Sequence, residues 1–154
     1  ILDTGIRLFK YLKGKAVSVC RVILETGGQK IELEGLLDTG NCLTDTNTGK
    51  PVCVMEKSRF SAMLEKKQQE ALESFCGLKS TKTEDLGDLN PRFVLYTALG
   101  CEKGLLPVVT ADRLVIFREG KKVTISQAAI GLSAAPLSPY RKFEMIISPK
   151  ILDS

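Results

Sequence analysis

The sequence of 154 residues contains no histidine and no tryptophan. Without imidazole there is no Ser–His–Asp or Cys–His nucleophile pair, no histidine general base and no His-containing zinc site. A catalyst built from this chain must use carboxylates, lysine, tyrosine or thiols. Charge of one sign is also scarce: 22 Lys+Arg against 18 Asp+Glu leave a net +4, and no basic stretch is interleaved with aromatics. Nucleic acid is therefore not an expected partner. No apolar run reaches the ~18 residues of a membrane helix, so the chain as it stands is expected to be soluble. The five cysteines (Cys20, Cys42, Cys53, Cys76, Cys101) are odd in number, lie 22, 11, 23 and 25 apart, and form no CxxC pair. That spacing supports neither a disulfide framework nor a zinc ribbon and leaves free thiols in a reducing, cytoplasmic compartment. No metal and no organic cofactor is expected. A first residue of Ile1 rather than methionine suggests a fragment or a processed product.

What is present is a chain long enough for one compact domain with a real core. Residues 1–15 mix apolar side chains with Arg7, Lys10, Lys13 and Lys15. AVSVCRVIL (16–24) and KIELEGLL (30–37) predict two strands, with Gly27-Gly28 supplying a tight hairpin turn. Ile31 and Leu33 alternate with Glu32 and Glu34, so one face of the second strand is buried and the other wet. Turn formers fill 38–50, and PVCVM (51–55) is a short apolar run. Phe60, Met63, Leu64, Ala71, Leu72 and Phe75 recur at helical spacing and predict one helix or two short ones over 56–76, ended by Gly77. The polar stretch 79–91 reads as a surface loop. Strands are expected at 92–99, 105–110, 113–117 and 122–126, with turns at GCEKG, AD and REGK, and a last strand at 143–148. The fold class is mainly β with a helical insertion.

Asp-Thr-Gly occurs at 3–5 and again at 38–40. Almost nothing precedes Asp3, so no strand delivers it to a site. Asp38 follows a strand that turns fully apolar at Leu36-Leu37 and enters a glycine-containing turn with Asn41. Two carboxylates can hydrolyse an amide without histidine or metal by sharing one proton and holding a water between them. Like charges about 3 Å apart cannot both ionise, so an acid and a base coexist. Threonine can brace such a loop, and glycine lets the backbone approach the carboxylates.

On these residues the chain resembles the aspartic proteases, with LLDTGN (36–41) as the point of contact. Ala129-Ile130-Gly131 matches the apolar–apolar–Gly element that such folds place behind the catalytic loop. RFVLYTALGCEKGLLPVV (92–109) resembles the substrate-covering flap, with Tyr96, Gly100 and Gly104 as flap residues. The resemblance implies a retroviral-type single-lobe aspartic protease barrel with a helical insertion. It implies Asp38 as catalytic residue, with Thr39, Gly40 and Asn41 as support. LLDTGNCLTDTNTGKPV, LLPVVTADRLVIF and AIGLS together resemble the protease domain of the sporulation sigma-E factor-processing peptidases, over most of residues 16–152. That family implies a membrane-anchored protease whose N-terminal membrane region is absent here. The implied substrate is the sigma-E precursor, which loses its N-terminal pro-segment. The implied activator is a signalling protein secreted from the forespore. The implied location is the cell membrane on the mother-cell side of the sporulation septum, with this domain in the cytoplasm. Residues 1–15 then read as a juxtamembrane lead-in, as the positive-inside rule expects, and 16–154 as the protease domain.

Thirty-five residues separate Asp3 from Asp38, too few for a second lobe. One usable aspartate per chain implies a homodimer that pairs Asp38 with its symmetry mate. Asn41 departs from the Ser, Thr or Ala usual after this tripeptide, and its amide is in a position to donate to the outer carboxylate oxygen. Blander readings stand beside these. Asp38 and Gly131 can be ordinary turn residues, Tyr96 a core tyrosine, 56–76 a packed helix, Cys42 a small filler and 1–15 a solvated stretch. The competing function is a non-catalytic β-rich binding or dimerisation domain of a membrane-bound sporulation regulator.

Overall fold

A computed structural model describes residues 17–38, 40–41, 43–79, 83–97, 103–137 and 142–153. The lead-in 1–15, Thr39, Cys42 and Gly100 lie outside the described residues.

β1 (Val17–Thr26) and β2 (Gln29–Asp38) form the expected antiparallel hairpin. Gly27 and Gly28 both take positive φ, +57° and +80°, as a two-residue turn matched to strand twist requires. Along β1 the alternate residues Cys20, Val22, Leu24 and Thr26 are buried. β2 alternates only in its first half. From Gly35 to Asp38 every residue is buried, because β7 (Met145–Ile147) runs parallel along its other edge. A Cβ on Gly35 would sit 2.5 Å from Ile147 Cδ1, so only glycine fits that crossing.

The sheet order is β1-β2-β7-β3-β6-β5-β4, with β3 (Val52–Glu56), β4 (Arg92–Thr97), β5 (Lys103–Arg118) and β6 (Lys121–Ser133). β1 pairs back onto β5, which closes six strands into a barrel and leaves β4 as an appended edge strand. The mainly β, single-lobe barrel expected from the sequence is the fold observed.

The expected turn at Ala111-Asp112 is absent. β5 is one strand of 16 residues, and Ala111 is fully buried against Ala128 of β6. The short residues mark a kink in a continuous ladder, where Gln127 takes a φ of +54°. The kink lets one strand serve two neighbours: Lys103–Val108 pair with β4, and Arg113–Phe117 pair with β1. The segment 79–91 is also more than a surface loop. Its turns at Thr83–Asp85 and Gly87–Leu89 bury Leu86 and Leu89 in the main core.

The helical insertion consists of α1 (Lys57–Ser61) and α2 (Lys66–Cys76), two short helices. They bury Phe60, Ala71 and Leu72 on the barrel. Phe75 of α2 stacks on Phe93 of β4, with ring centroids 4.6 Å apart. A second core lies beneath the β4–β5 hairpin and contains Val52, Val94, Tyr96, Leu106, Ala129 and Ile146.

Candidate active site

Asp38 is the last residue of β2 and is 1% exposed. Its Oδ1 accepts a hydrogen bond from the Gly40 N–H at 2.7 Å, and its carbonyl accepts one from the Asn41 N–H at 3.0 Å. The backbone thus folds around its own carboxylate. Across the β1–β2 ladder Asp38 faces Val17, the first described residue.

Asn41 is 2% exposed and organises the loop. Its Nδ2 donates to the Val52 carbonyl at 3.1 Å, and its Oδ1 accepts from the Leu43 N–H at 3.1 Å. The Ser148 hydroxyl, fully buried, donates to the Asn41 carbonyl at 3.2 Å. The Asn41 side chain thus acts as a clamp between the loop and β3.

That clamp leads to the second motif. Val52 pairs with Ala129 in the parallel β3–β6 ladder, followed by Cys53 with Ile130 and Val54 with Gly131. Ala129, Ile130 and Gly131 are all buried, one strand behind the Asp38 loop. A Cβ on Gly131 would lie 2.6 Å from Leu106 Cδ2, so this glycine admits the β5 side chain. Gly131 is a mid-strand close approach rather than a turn residue.

Tyr96 and Gly104 are a cross-strand pair in the β4–β5 hairpin. Gly104 is in a ladder and not at the hairpin tip, because the Tyr96 ring lies over it; a Cβ there would be 2.5 Å from the ring. Tyr96 is 3% exposed and packs in the second core with Val52 and Ala129, against which Leu43 also packs. The hairpin is thus joined to the Asp38 loop through shared apolar contacts.

A buried ion pair that sequence reasoning missed fixes the next turn. Asp45 is fully buried, and Arg92, at the root of β4, reaches its Oδ2 with Nε at 3.0 Å and Nη2 at 2.5 Å. Arg92 Nη1 also donates to the Asn90 carbonyl and the Thr110 hydroxyl, each at 2.7 Å. Asp45 accepts from the Asn47 N–H and the Thr48 hydroxyl. Burial pushes the Asp45 carboxyl up, but Arg92, Asn47 and Thr48 together outweigh it and hold the group below its ordinary value. Asp-Thr-Asn-Thr-Gly is legible as a turn, but nothing in it names Arg92, 47 residues later. Lys50 closes the same loop onto the β6 kink, donating to the carbonyls of Ser126 and Gln127.

The described thiols are free. Burial pushes Cys53 up to about 12 and Cys76 up to about 11, so both remain protonated core fillers at neutral pH.

Comparison with known proteins points the same way. Residues 1–151 match a peptidase family described as sporulation factor SpoIIGA. A putative sporulation sigma factor-processing peptidase of Bacillus thuringiensis subsp. kurstaki is 28% identical over 137 residues, covering 88% of this chain and 85% of that protein. Sporulation sigma-E factor-processing peptidases of Priestia megaterium and Bacillus subtilis are 25% and 26% identical over 80% and 83% of this chain. The chain spans 41% and 42% of those two relatives' length. No solved structure matches the chain.

Proposed function

The chain belongs to the sporulation factor SpoIIGA family of peptidases, and from that membership we propose an aspartic endopeptidase with Asp38 as its catalytic carboxylate. The observation that carries this reading is the setting of Asp38: buried at a strand end, embraced by the Gly40 N–H, and backed through Asn41 and Val52 by Ala129. One such aspartate per chain is half of a dyad, so the active species is a homodimer placing Asp38 against its symmetry mate. One carboxylate takes a proton from the lytic water as its oxygen attacks the scissile carbonyl carbon. The other gives its proton to the carbonyl oxygen. Collapse of the resulting gem-diol breaks the C–N bond as the amine leaves protonated, and the pair again shares one proton.

The relatives' names support the sigma-E precursor as the substrate, cut to release its N-terminal pro-segment. On this reading the domain works beside the membrane in the cytoplasm, held by a preceding membrane region and switched on by a signalling protein from the forespore. Among the described residues no helix is long and apolar enough to cross a membrane.

The test is processing of the sigma-E precursor by wild type, Asp38→Ala and Asp3→Ala, followed by gel mobility. Asp38→Ala is expected to abolish processing and Asp3→Ala to leave it intact. Processing that survives Asp38→Ala sinks the reading in favour of a non-catalytic domain. Mixing wild type with an equal amount of Asp38→Ala tests the shared dyad. Random pairing leaves about a quarter of dimers intact, whereas independent monomers retain about half of the activity.

A further inference from the structure

A cavity of about 610 Å3 opens at the end of the barrel away from Asp38. Gln29, on its rim, and Asp38 are the two ends of the ten-residue β2, a run of about 30 Å. The cavity lies between the β1–β2 turn, the connection from α1 to α2, the paired 3-10 turns and the β5 kink. Its volume falls within the range of about 300–1,000 Å3 for ligand pockets.

Its lining carries four carboxylates, Glu65, Asp85, Asp88 and Asp112, and no lysine or arginine. Three of the four are engaged: Asp85 pairs with Lys67 at 3.3 Å, Asp112 accepts the Gly27 N–H at 2.9 Å, and Glu65 caps α2 by accepting the Gln68 N–H. Glu65 and Asp88 make no ion pair among the described residues. A second observation is independent of these charges. Thr26 closes the inward-facing series Cys20, Val22, Leu24 and also lines the cavity. It is 3% exposed, and its hydroxyl has no hydrogen-bond partner among the described residues. A buried hydroxyl left without a partner is costly, so this one is built to meet something that enters.

We propose that this mouth of the barrel docks an arginine-bearing segment of a partner protein. The chemistry selects that occupant. Carboxylates are acceptors only, and a guanidinium offers several donors in a planar fork that can reach a rim carboxylate and the Thr26 oxygen together. Among the described residues no group of acidic or thiol side chains converges closely enough to hold a metal ion. Nucleic acid is repelled by the acidic rim. The whole chain carries +4, so attraction for a cationic segment originates locally and is confined to this end of the barrel.

The inference stands independently of catalysis at Asp38. It is tested by titrating the 154-residue chain with the capped peptide Gly-Arg-Gly-Arg-Gly, read by calorimetry and by amide chemical shifts. Shifts are expected at Gly27, Gly87 and Thr110, with affinity falling as salt rises. The variant Asp88→Lys, at the one rim carboxylate that makes no bond among the described residues, is expected to bind several-fold more weakly. Thr26→Val keeps the volume and removes the hydroxyl; it is expected to lose affinity several-fold with no fall in Tm, which a purely structural threonine would not do. Binding that charge reversal leaves within twofold, shifts clustered elsewhere, or no binding at low salt overturns the proposal. Equal affinity for spermidine also overturns it, in favour of a polyamine site.

Discussion

At one end of the barrel the carboxylate of Asp38 is 1% exposed and clasped by its own loop. At the other, Glu65 and Asp88 stand in water around an open cavity. The residue type is nearly the same and the physics is opposite. Where water is excluded, Asn41, Ser148 and Val52 tie the loop beyond Asp38 together by hydrogen bonds, and displacement of one disturbs the rest. Where water is admitted, the charges are screened, and they act by attraction more than by position. On the two proposals made above, chemistry belongs at the first end and recognition at the second.

This contrast breaks most visibly at Asp38 itself. Asp38→Asn keeps the shape and removes the shared proton, and processing of the sigma-E precursor is expected to fall by at least about a thousandfold. Circular dichroism melts establish that the variant is folded. Next in size is Arg92→Leu, which leaves Asp45 buried without its cation. Removal of one partner from a buried pair costs about 3–5 kcal/mol, to be measured by urea unfolding. Gly104→Ala is expected to cost about 1–3 kcal/mol, because the new Cβ would collide with the Tyr96 ring.

A smaller effect is expected in acid. Asp45 is held below its ordinary value, so its stabilisation is present in full above about pH 4 and is lost as pH falls through the depressed folded value. Asp45→Asn is expected to remove that part of the acid limb in a series of melts from neutral pH downward. The smallest effect lies at the far end. Asp88→Ala is expected to change stability by no more than about 0.5 kcal/mol. A loss comparable to that of Arg92→Leu would erase the distinction between the two ends.

The legible parts of the molecule are those with local causes. Gly27-Gly28 specify the hairpin, the 56–76 stripe specifies a helical insertion of one helix or two, and Leu36-Leu37-Asp38 mark a strand entering the interior. Ala129-Ile130-Gly131 were legible as an element behind the loop, and the ladder through Val52 places them there. The Ala111-Asp112 turn was misread because small and acidic residues also occur at kinks, and only the partners Ala128 and Ser126 distinguish the two. Arg92 and Thr26 carried no local signal at all. One is a basic residue opening a strand, the other a threonine closing one.

By itself the sequence determined the chemistry available. With no histidine, and with Asp38 behind an apolar strand and ahead of a glycine, carboxylate chemistry is what the chain offers, since residue type fixes which protons can move. Tertiary structure decided what each carboxylate meets. Asp38, at the end of β2, and Asp45, held by Arg92, are buried, whereas Glu65 and Asp88 stand at an open rim. Burial and hydrogen-bond partners are set by segments far apart in the chain, and they determine whether an acidic residue anchors a loop, serves a reaction or draws in a cation.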